Sequence, residues 1–503
     1  MPILGWRVHF TRRELPVPRS PRPLLASLRL ADAPAWLDAE RIEDGAPCLI
    51  GPDGTYDVEL NSFFRTHTGP ENTQAAIAYD LTNFLTFLWS HRQPLGRRGW
   101  RDADPEDRAA YQRWRRSDEN GPGVRGSTWA REVATVNGFY RWAVDRGFVE
   151  RNPFLQRPVR GRPGARLRAG EQTPAEAPHD GHRDDLAWLP PATYRRWRDV
   201  GVRGYLPSGL RDASFRGRNA ARNGTFCDLM VRTGLRLSEQ SSLTLFETPD
   251  IDPGRAYQPT RLPTAIAKGG SGRRIYIPAT VLRDVWDYIQ FERAEVVAEA
   301  RARGTYERLA GKLVVEDRPS AAIAADQPRR RGRPVETLDH RQRHRLFLRG
   351  PDGLEPAMLW LAHDGLPMMP GTWQSMFTDA NKRCRRHEIV VRVHPHLLRH
   401  TYAVVTLEQL QREHIRELGQ LTSPAQRTSY EQVFGDPLDW VRRRLGHRSV
   451  ESTFIYLHTL NELAMETRLA LVPSEWDEHR LPEPELRDEI DDESSARMDG
   501  EPA

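Results

Sequence analysis

A chain of 503 residues, 28% of them charged and with a mean hydropathy of −0.67, is too long for one core and too polar for an integral membrane protein. Nowhere do eighteen apolar residues run together, and Arg7 interrupts the start MPILGWRVHF where a secretory signal needs an apolar core. The formal net charge of +5 hides an acidic tail: Val472 to Ala503 holds twelve acids against three arginines, which leaves residues 1–471 at +14 and points to a polyanion, nucleic acid first.

Residues 1–61 mix short apolar runs with Pro and Gly and read as an N-terminal extension without a motif. From an Asn72/Thr73 cap, Ile77, Leu81, Phe84, Leu85 and Leu88 recur at helical spacing. A second helix starts at Ser127, with Trp129, Val133, Val136, Tyr140 and Ala143 on one face, Gly147 at its stop and Asn152-Pro153 beyond. These stripes predict a small helical domain over 62–155 whose aromatics form its core. Residues 156–185 lack apolar periodicity and are rich in Pro, Gly, Arg and acids, the composition of a linker.

Beyond the linker, Trp188 to Val202 and Asn219 to Leu245 read as helical. Residues 261–267 and 273–279 read as two strands joined by a turn, Lys268-Gly-Gly-Ser-Gly, and 280–302 as a helix. The polar, Arg/Pro-rich stretch 303–345 reads as an inserted loop. Helices resume near Thr372, Leu397, Leu438 and Ser452. The predicted fold is mainly α with a small antiparallel β-sheet. Three cysteines, Cys48, Cys227 and Cys384, cannot build a disulfide framework and lack metal-ligand spacing, which predicts a reducing, cytoplasmic setting.

The second half holds a dispersed set of reactive groups. Thr233-Gly-Leu-Arg236-Leu-Ser-Glu239 is followed by Lys268, one of only three lysines among 74 basic residues. His396-Leu-Leu-Arg399-His400 comes next, then Leu445-Gly-His447 and, nine residues on, Tyr456. In this order the motifs resemble those of the tyrosine recombinase (phage integrase) family. The likeness covers about 186–471, the catalytic domain, and extends to 62–155, which looks like the family's core-binding domain. From Arg399 to His447 is 48 residues, about twice the family interval, with the excess near 408–436.

What the resemblance implies is cleavage and rejoining of double-stranded DNA through a 3′-phosphotyrosyl intermediate, with no metal, ATP or other cofactor. Arg236, Arg399 and His396 would clamp the phosphate, Lys268 would be the general acid, His447 would bond the phosphate and Tyr456 would attack. The chemistry of the residues agrees. A guanidinium neutralises non-bridging oxygens through two parallel hydrogen bonds and never loses its charge. An ammonium, unlike a guanidinium, can give up a proton to a leaving oxygen. Glu239, one turn after Arg236, is expected to orient that Arg or a neighbouring His. His400 is expected as a buried, hydrogen-bonded helix residue, while His394 and His458 have no assigned role. A zinc reading of His396 and His400 fails because Arg399 would set a fixed positive charge beside the metal.

The family also implies a homo-oligomer, a tetramer on DNA, with accessory directionality factors and no membrane, in the nucleoid of a bacterial cytoplasm. A type IB topoisomerase and a non-cutting DNA-binding regulator are the rival readings. Arg160-Gly-Arg162-Pro163 and Arg331-Gly-Arg333-Pro334 repeat one tetrapeptide. Each reads either as solvated linker or, by likeness to the AT-hook, as a minor-groove contact through Arg160, Arg162, Arg331 and Arg333. Leu460 to Leu471 reads as an apolar-striped helix that docks in trans or folds back in cis. The tail, 472–503, reads as solubilising disorder or as a cover for the basic DNA face.

Overall fold

A computed structural model of the chain describes residues 5–12, 33–67, 69, 71–92, 98–154, 156–158, 172–174, 187–217, 219–316, 323–324, 332–420, 423, 436–450 and 452–460. Arg160, Arg162, Arg331, most of the 156–185 and 421–435 stretches, and everything after Leu460 lie outside them. The chain divides into two compact units, Met1–Asp184 and Asp185–Ala503. It is mainly helical with small sheets, and no described helix is long and apolar enough to cross a membrane.

In the first unit a strand pair, β1 (Arg7–Phe10) and β2 (Pro47–Ile50), runs antiparallel with Val8 opposite Leu49. Helices α1 (Ala33–Ala39), α2 (Val58–Thr66), α3 (Glu71–Ser90), α4 (Pro105–Arg116) and α5 (Gly126–Asp145) complete it. The start of each helix is chemically set where a short carboxylate is available. Asp57 accepts from the Leu60 N–H at α2, and Asp104 with Asp107 forms a capping box ahead of α4, whose Pro105 has no N–H to lose. The stripe Leu81, Phe84, Leu85 and Leu88 of α3 meets Trp129, Val133, Val136, Tyr140 and Ala143 of α5 in one buried cluster. These aromatics are core, as their period indicates.

The described part of the 1–61 segment packs on this unit. Leu49 sits in the same core, and the Asn61 amide both accepts from the Leu49 N–H (2.7 Å) and donates to its carbonyl (2.9 Å). Two short strands, β3 (Gln156–Pro158) and β4 (Gln172–Pro174), pair antiparallel inside the stretch expected as linker. The unit also buries charge: Arg115 donates to both oxygens of Glu132, which accepts Tyr111 Oη–H as well at 3.1 Å. Replacing Glu132 with alanine leaves that guanidinium without a partner. The loss should be about 3–5 kcal/mol, read by denaturant unfolding of the full chain with hydrogen exchange to localise it to α4 and α5. A loss below about 1 kcal/mol would mean that water reaches Arg115.

The second unit opens with α6 (Pro191–Trp197), prolonged by a π-helical turn at Arg198–Val202, and α7 (Ala220–Thr233). Gly234, at φ +65°, ends α7, so the expected helix 219–245 is broken and a short α8 (Leu237–Ser241) follows. Strands β5 (Tyr257–Leu262) and β6 (Arg273–Pro278) form an antiparallel hairpin. The expected first strand was set too late. Pro263 cannot donate to the ladder, so the chain leaves β5 there and 263–272 becomes a long connection with Lys268 on a tight turn. Helices α9 (Ala279–Tyr288) and α10 (Ala294–Ala302) are joined by a π-helical turn at Ile289–Arg293.

The 303–345 stretch, expected as an inserted loop, departs from that reading in its described residues. It supplies β7 (Leu313–Glu316), β8 (Ile323–Ala324) and α11 (His340–His344). With β9 (Leu346–Gly350) and β10 (Gly353–Pro356) the strands form a sheet of order β10-β9-β7-β8, in which β7 and β9 are parallel, the exception to the antiparallel expectation. Arg343 of α11 is fully buried and bonds both oxygens of Glu247 at 3.0 Å, tying this sheet to the chain just after α8.

The remaining helices are α12 (Pro370–Arg386), α13 (Pro395–Gln420), α14 (Pro437–Leu445) and α15 at 452–460. Helix α13 continues to Gln420, so the first part of the 408–436 insertion is an extension of the helix bearing Arg399. The core beneath them stacks Phe226 on Trp373 at 3.6 Å, with Trp360 edge-on to both.

Candidate active site

Four segments of the second unit deliver the reactive side chains: the turn into α8, the β5–β6 connection, the start of α13 and the α14–α15 corner. Arg236 caps α8. Its N–H and its Nη1 both donate to Glu239, at 3.0 and 2.9 Å. Glu239 is wholly buried and also accepts from Arg273 of β6, at 2.7 and 3.2 Å, and from the Lys268 backbone N–H at 3.3 Å. Burial alone would raise this carboxyl; Arg273 and then Arg236 outweigh it and hold the pKa down to about 2. Glu239 thus organises Arg236, Arg273 and the Lys268 turn together. The Lys268 side chain itself is exposed.

Arg399, one turn into α13, is 1% exposed. Its two terminal nitrogens donate to the carbonyls of Gly234 and Leu445, each at 2.5 Å, which locks the guanidinium between the α7 stop and the α14 stop. Burial first, and then the charge of Arg236, lowers its pKa to about 9, still protonated at neutral pH. Gly446 reaches φ +64° to end α14, and a Cβ there would press on Arg273 at 3.1 Å. This accounts for the glycine of Leu445-Gly446-His447.

His396 stands at the solvent edge, its pKa lowered by partial desolvation and by Arg399. His447 bonds Thr453 through Nδ1 at 3.0 Å, and burial with the charges of Arg399 and Arg236 depresses it to about 3. Tyr456 of α15 is 2% exposed, with its Oη 3.0 Å from Nδ1 of His400. Burial raises the phenol pKa while Arg399 and Arg236 pull the other way. The fold therefore brings Arg236, Glu239, His396, Arg399, His447 and Tyr456 into one electrostatic neighbourhood, with Lys268 on its rim. Arg333 is exposed, immediately ahead of the turn at Val335–Thr337.

Sequence reasoning missed Arg273, which carries no mark among so many arginines; His400 is the hydrogen-bonded helix residue expected, but its partner Tyr456 was not foreseen. The spacing of His400, four residues after His396, was the available signal. Arg448 also escaped notice; it donates to the Gly269 carbonyl and clips the Lys268 turn to the α14–α15 corner.

Chemically, Arg236 and Arg273 pair with one carboxylate, Glu239, and a third guanidinium, Arg399, is held nearby on backbone carbonyls. Positive charge therefore exceeds negative in this largely buried place, a surplus that an anion would offset. Among the described residues no group of three His, Cys, Asp or Glu is arranged to hold a metal ion. A cavity of about 960 Å³ in this unit is lined by Tyr194, Asp228, Tyr402 and Trp440 among others, and includes none of Arg236, Lys268, His396, Arg399, His447 or Tyr456.

Residues 60–147 match the family model of the phage integrase N-terminal SAM-like domain, spanning α2 to the end of α5 with the turn beyond it. This match to a phage integrase domain lies in the first unit, apart from the motifs of the second. Among solved structures, the Tn1549 transposon integrase in complex with a circular intermediate DNA is 13% identical, with 79% of this chain and 93% of that one covered and a TM-score of 0.44. XerH recombinase bound to a palindromic difH substrate is 11% identical (82% and 87% covered, TM-score 0.44). A lambda integrase dimer bound to a COC′ core site is 12% identical (78% and 91%, TM-score 0.40). No curated protein matches the chain.

Proposed function

We propose that this protein is a site-specific DNA recombinase or integrase that cuts and rejoins DNA through a 3′-phosphotyrosyl link. The observation that carries the reading is the surplus of guanidinium charge around Glu239 with a phenol held beside it. Arg236 and Arg399 neutralise the two non-bridging oxygens of a backbone phosphate, and His396 and His447 add hydrogen bonds. Tyr456 attacks phosphorus, and the Lys268 ammonium protonates the departing 5′-oxygen. Attack by a 5′-hydroxyl from a second duplex then reverses the step on a new partner. In this reading 62–155 is a core-binding domain and 186–471 the catalytic domain of a homo-oligomer that acts on DNA. The SAM-like family match over 60–147 supports it from the other unit.

The test is covalent capture. Full-length protein is incubated with a pool of nicked duplexes randomised around the nick, and the products are run on a denaturing gel. The expected result is a protein–DNA band that survives denaturation and is absent in Tyr456→Phe. Sequencing the trapped DNA reports site preference, which separates a recombinase from a relaxing topoisomerase. A band of equal strength from Tyr456→Phe would sink the reading.

A further inference from the structure

We propose that His400 takes the phenolic proton of Tyr456 as it attacks; this rests on the strand-transfer reading above and names the base that the reading leaves open. The two side chains come from α13 and α15, 56 residues apart, and His400 Nδ1 lies 3.0 Å from Tyr456 Oη. No other hydrogen bond to that oxygen occurs among the described residues, and the tyrosine is 2% exposed. A phenol sealed from water needs an acceptor for its O–H. Were Nδ1 protonated and donating instead, the phenolic hydrogen would have nowhere to go, so the phenol donates and the ring nitrogen accepts.

Helix geometry supplies the rest. His400 follows Arg399 directly and lies one turn beyond His396, the two imidazole centroids 4.2 Å apart and the planes at 71°. The titratable and charged groups facing it are His396 and Arg399 on its own helix, His394 just ahead of that helix, His447 from the corner after α14, and Tyr456 of α15. Loss of solvent, then His396 and Arg399, depress its pKa to about 3, so in the free chain the ring is neutral with its lone pair available. A phosphate docked on Arg236 and Arg399 brings negative charge to the place that depresses it. The imidazole becomes a stronger base as substrate arrives.

The step balances as follows. The Tyr456 O–H bond breaks and its proton goes to His400 Nδ1. The phenolic oxygen forms a bond to phosphorus, the P–O5′ bond breaks, and the leaving oxygen takes a proton from Lys268. His400 is left as imidazolium and Lys268 as amine. On rejoining, the incoming 5′-hydroxyl returns a proton to Lys268 and the departing tyrosine recovers its own from His400.

The experiment compares full-length wild type, His400→Asn, His400→Ala and Lys268→Ala on the randomised nicked pool, following the rate of adduct formation. Asparagine still offers the phenol an acceptor oxygen but cannot carry its proton. His400→Asn should therefore retain DNA as wild type does and form adduct about 100-fold more slowly, the usual size of a lost general base. Free imidazole should restore part of the rate to His400→Ala. A pool with sulfur in place of the bridging 5′-oxygen at the scissile position, whose leaving group needs no proton, should rescue Lys268→Ala and leave His400→Asn slow. A wild-type rate in His400→Asn, its rescue by the sulfur substrate, or failure of imidazole to help His400→Ala would overturn the assignment. A faster rate would make the bond a restraint on the phenol and overturn it too. If wild type itself forms no Tyr456-dependent adduct, the strand-transfer reading falls and takes this one with it.

Discussion

Replacing Glu239 with alanine is expected to cost the C-terminal unit about 3–5 kcal/mol and to abolish adduct formation. The carboxylate is wholly buried and is the shared partner of Arg236, Arg273 and the Lys268 backbone. Without it, two guanidinium groups that already sit near Arg399 repel one another with nothing between them, and the turn carrying Lys268 loses its anchor. Glu239→Gln keeps the shape and removes the charge, so it isolates the electrostatic part. Its size follows from linkage. The folded pKa of about 2 lies below an unfolded value of about 4.3, so the ionised carboxylate stabilises the folded state by about 3 kcal/mol above that unfolded value, and the benefit is lost as pH falls through about 2. His400 and His447 act in a higher window. Neutral in the fold down to about 3 but protonated in the unfolded chain below about 6.5, they erode stability between those values. Acid unfolding followed by circular dichroism should therefore show a decline beginning near neutrality that Glu239→Gln leaves in place. The further decline below about pH 4 should be smaller in that variant, the remainder coming from the two histidines and from other carboxylates held low by arginines, such as Asp212 beside Arg383. If Glu239→Gln is as stable as wild type at pH 7, Arg236 and Arg273 are paired by something other than this carboxylate.

Much of the candidate site was legible in the sequence because its residues carry local marks. Arg236 is marked by the glycine two residues before it, Lys268 by being one of three lysines, and His447 by a glycine needed for a helix stop. The stripes of α3 and α5 were legible for a different reason, since an amphipathic period states directly which face is buried. What stayed hidden depends on chain segments meeting across long intervals. Arg273 is an ordinary arginine until the hairpin folds it onto Glu239. His400 reads as a helix residue until α15 places a phenol on it. The sheet containing β7 and β9 was missed because a parallel pair has no tight turn to announce it, and its strands are short and set among Arg and Pro.

Gly234→Ala should damage both the stability of the C-terminal unit and adduct formation, because three requirements coincide at that residue. The backbone sits at φ +65°, where an L side chain costs roughly 1–2 kcal/mol. A Cβ would also stand 2.3 Å from Cδ1 of the Tyr402 ring on α13, close to the base of that side chain, so the ring or the backbone must shift to make room. Overpacking of this kind adds about 1–3 kcal/mol, for a total of about 2–5. The Gly234 carbonyl receives Arg399 Nη1, and Arg236 follows two residues later, so relief of the clash moves the two guanidinium groups proposed to hold the phosphate relative to each other. A displacement near 1 Å is enough to slow a positioned reaction about 100-fold. Gly147→Ala provides the control, since Gly147 has φ +72° with nothing within 4 Å of its would-be Cβ. It carries the backbone penalty alone and should lose only about 1–2 kcal/mol with normal adduct formation. Equal losses in the two variants, or a Gly234→Ala protein that forms adduct at the wild-type rate, would show that neither the Tyr402 ring nor the carbonyl bond to Arg399 sets the geometry of the clamp.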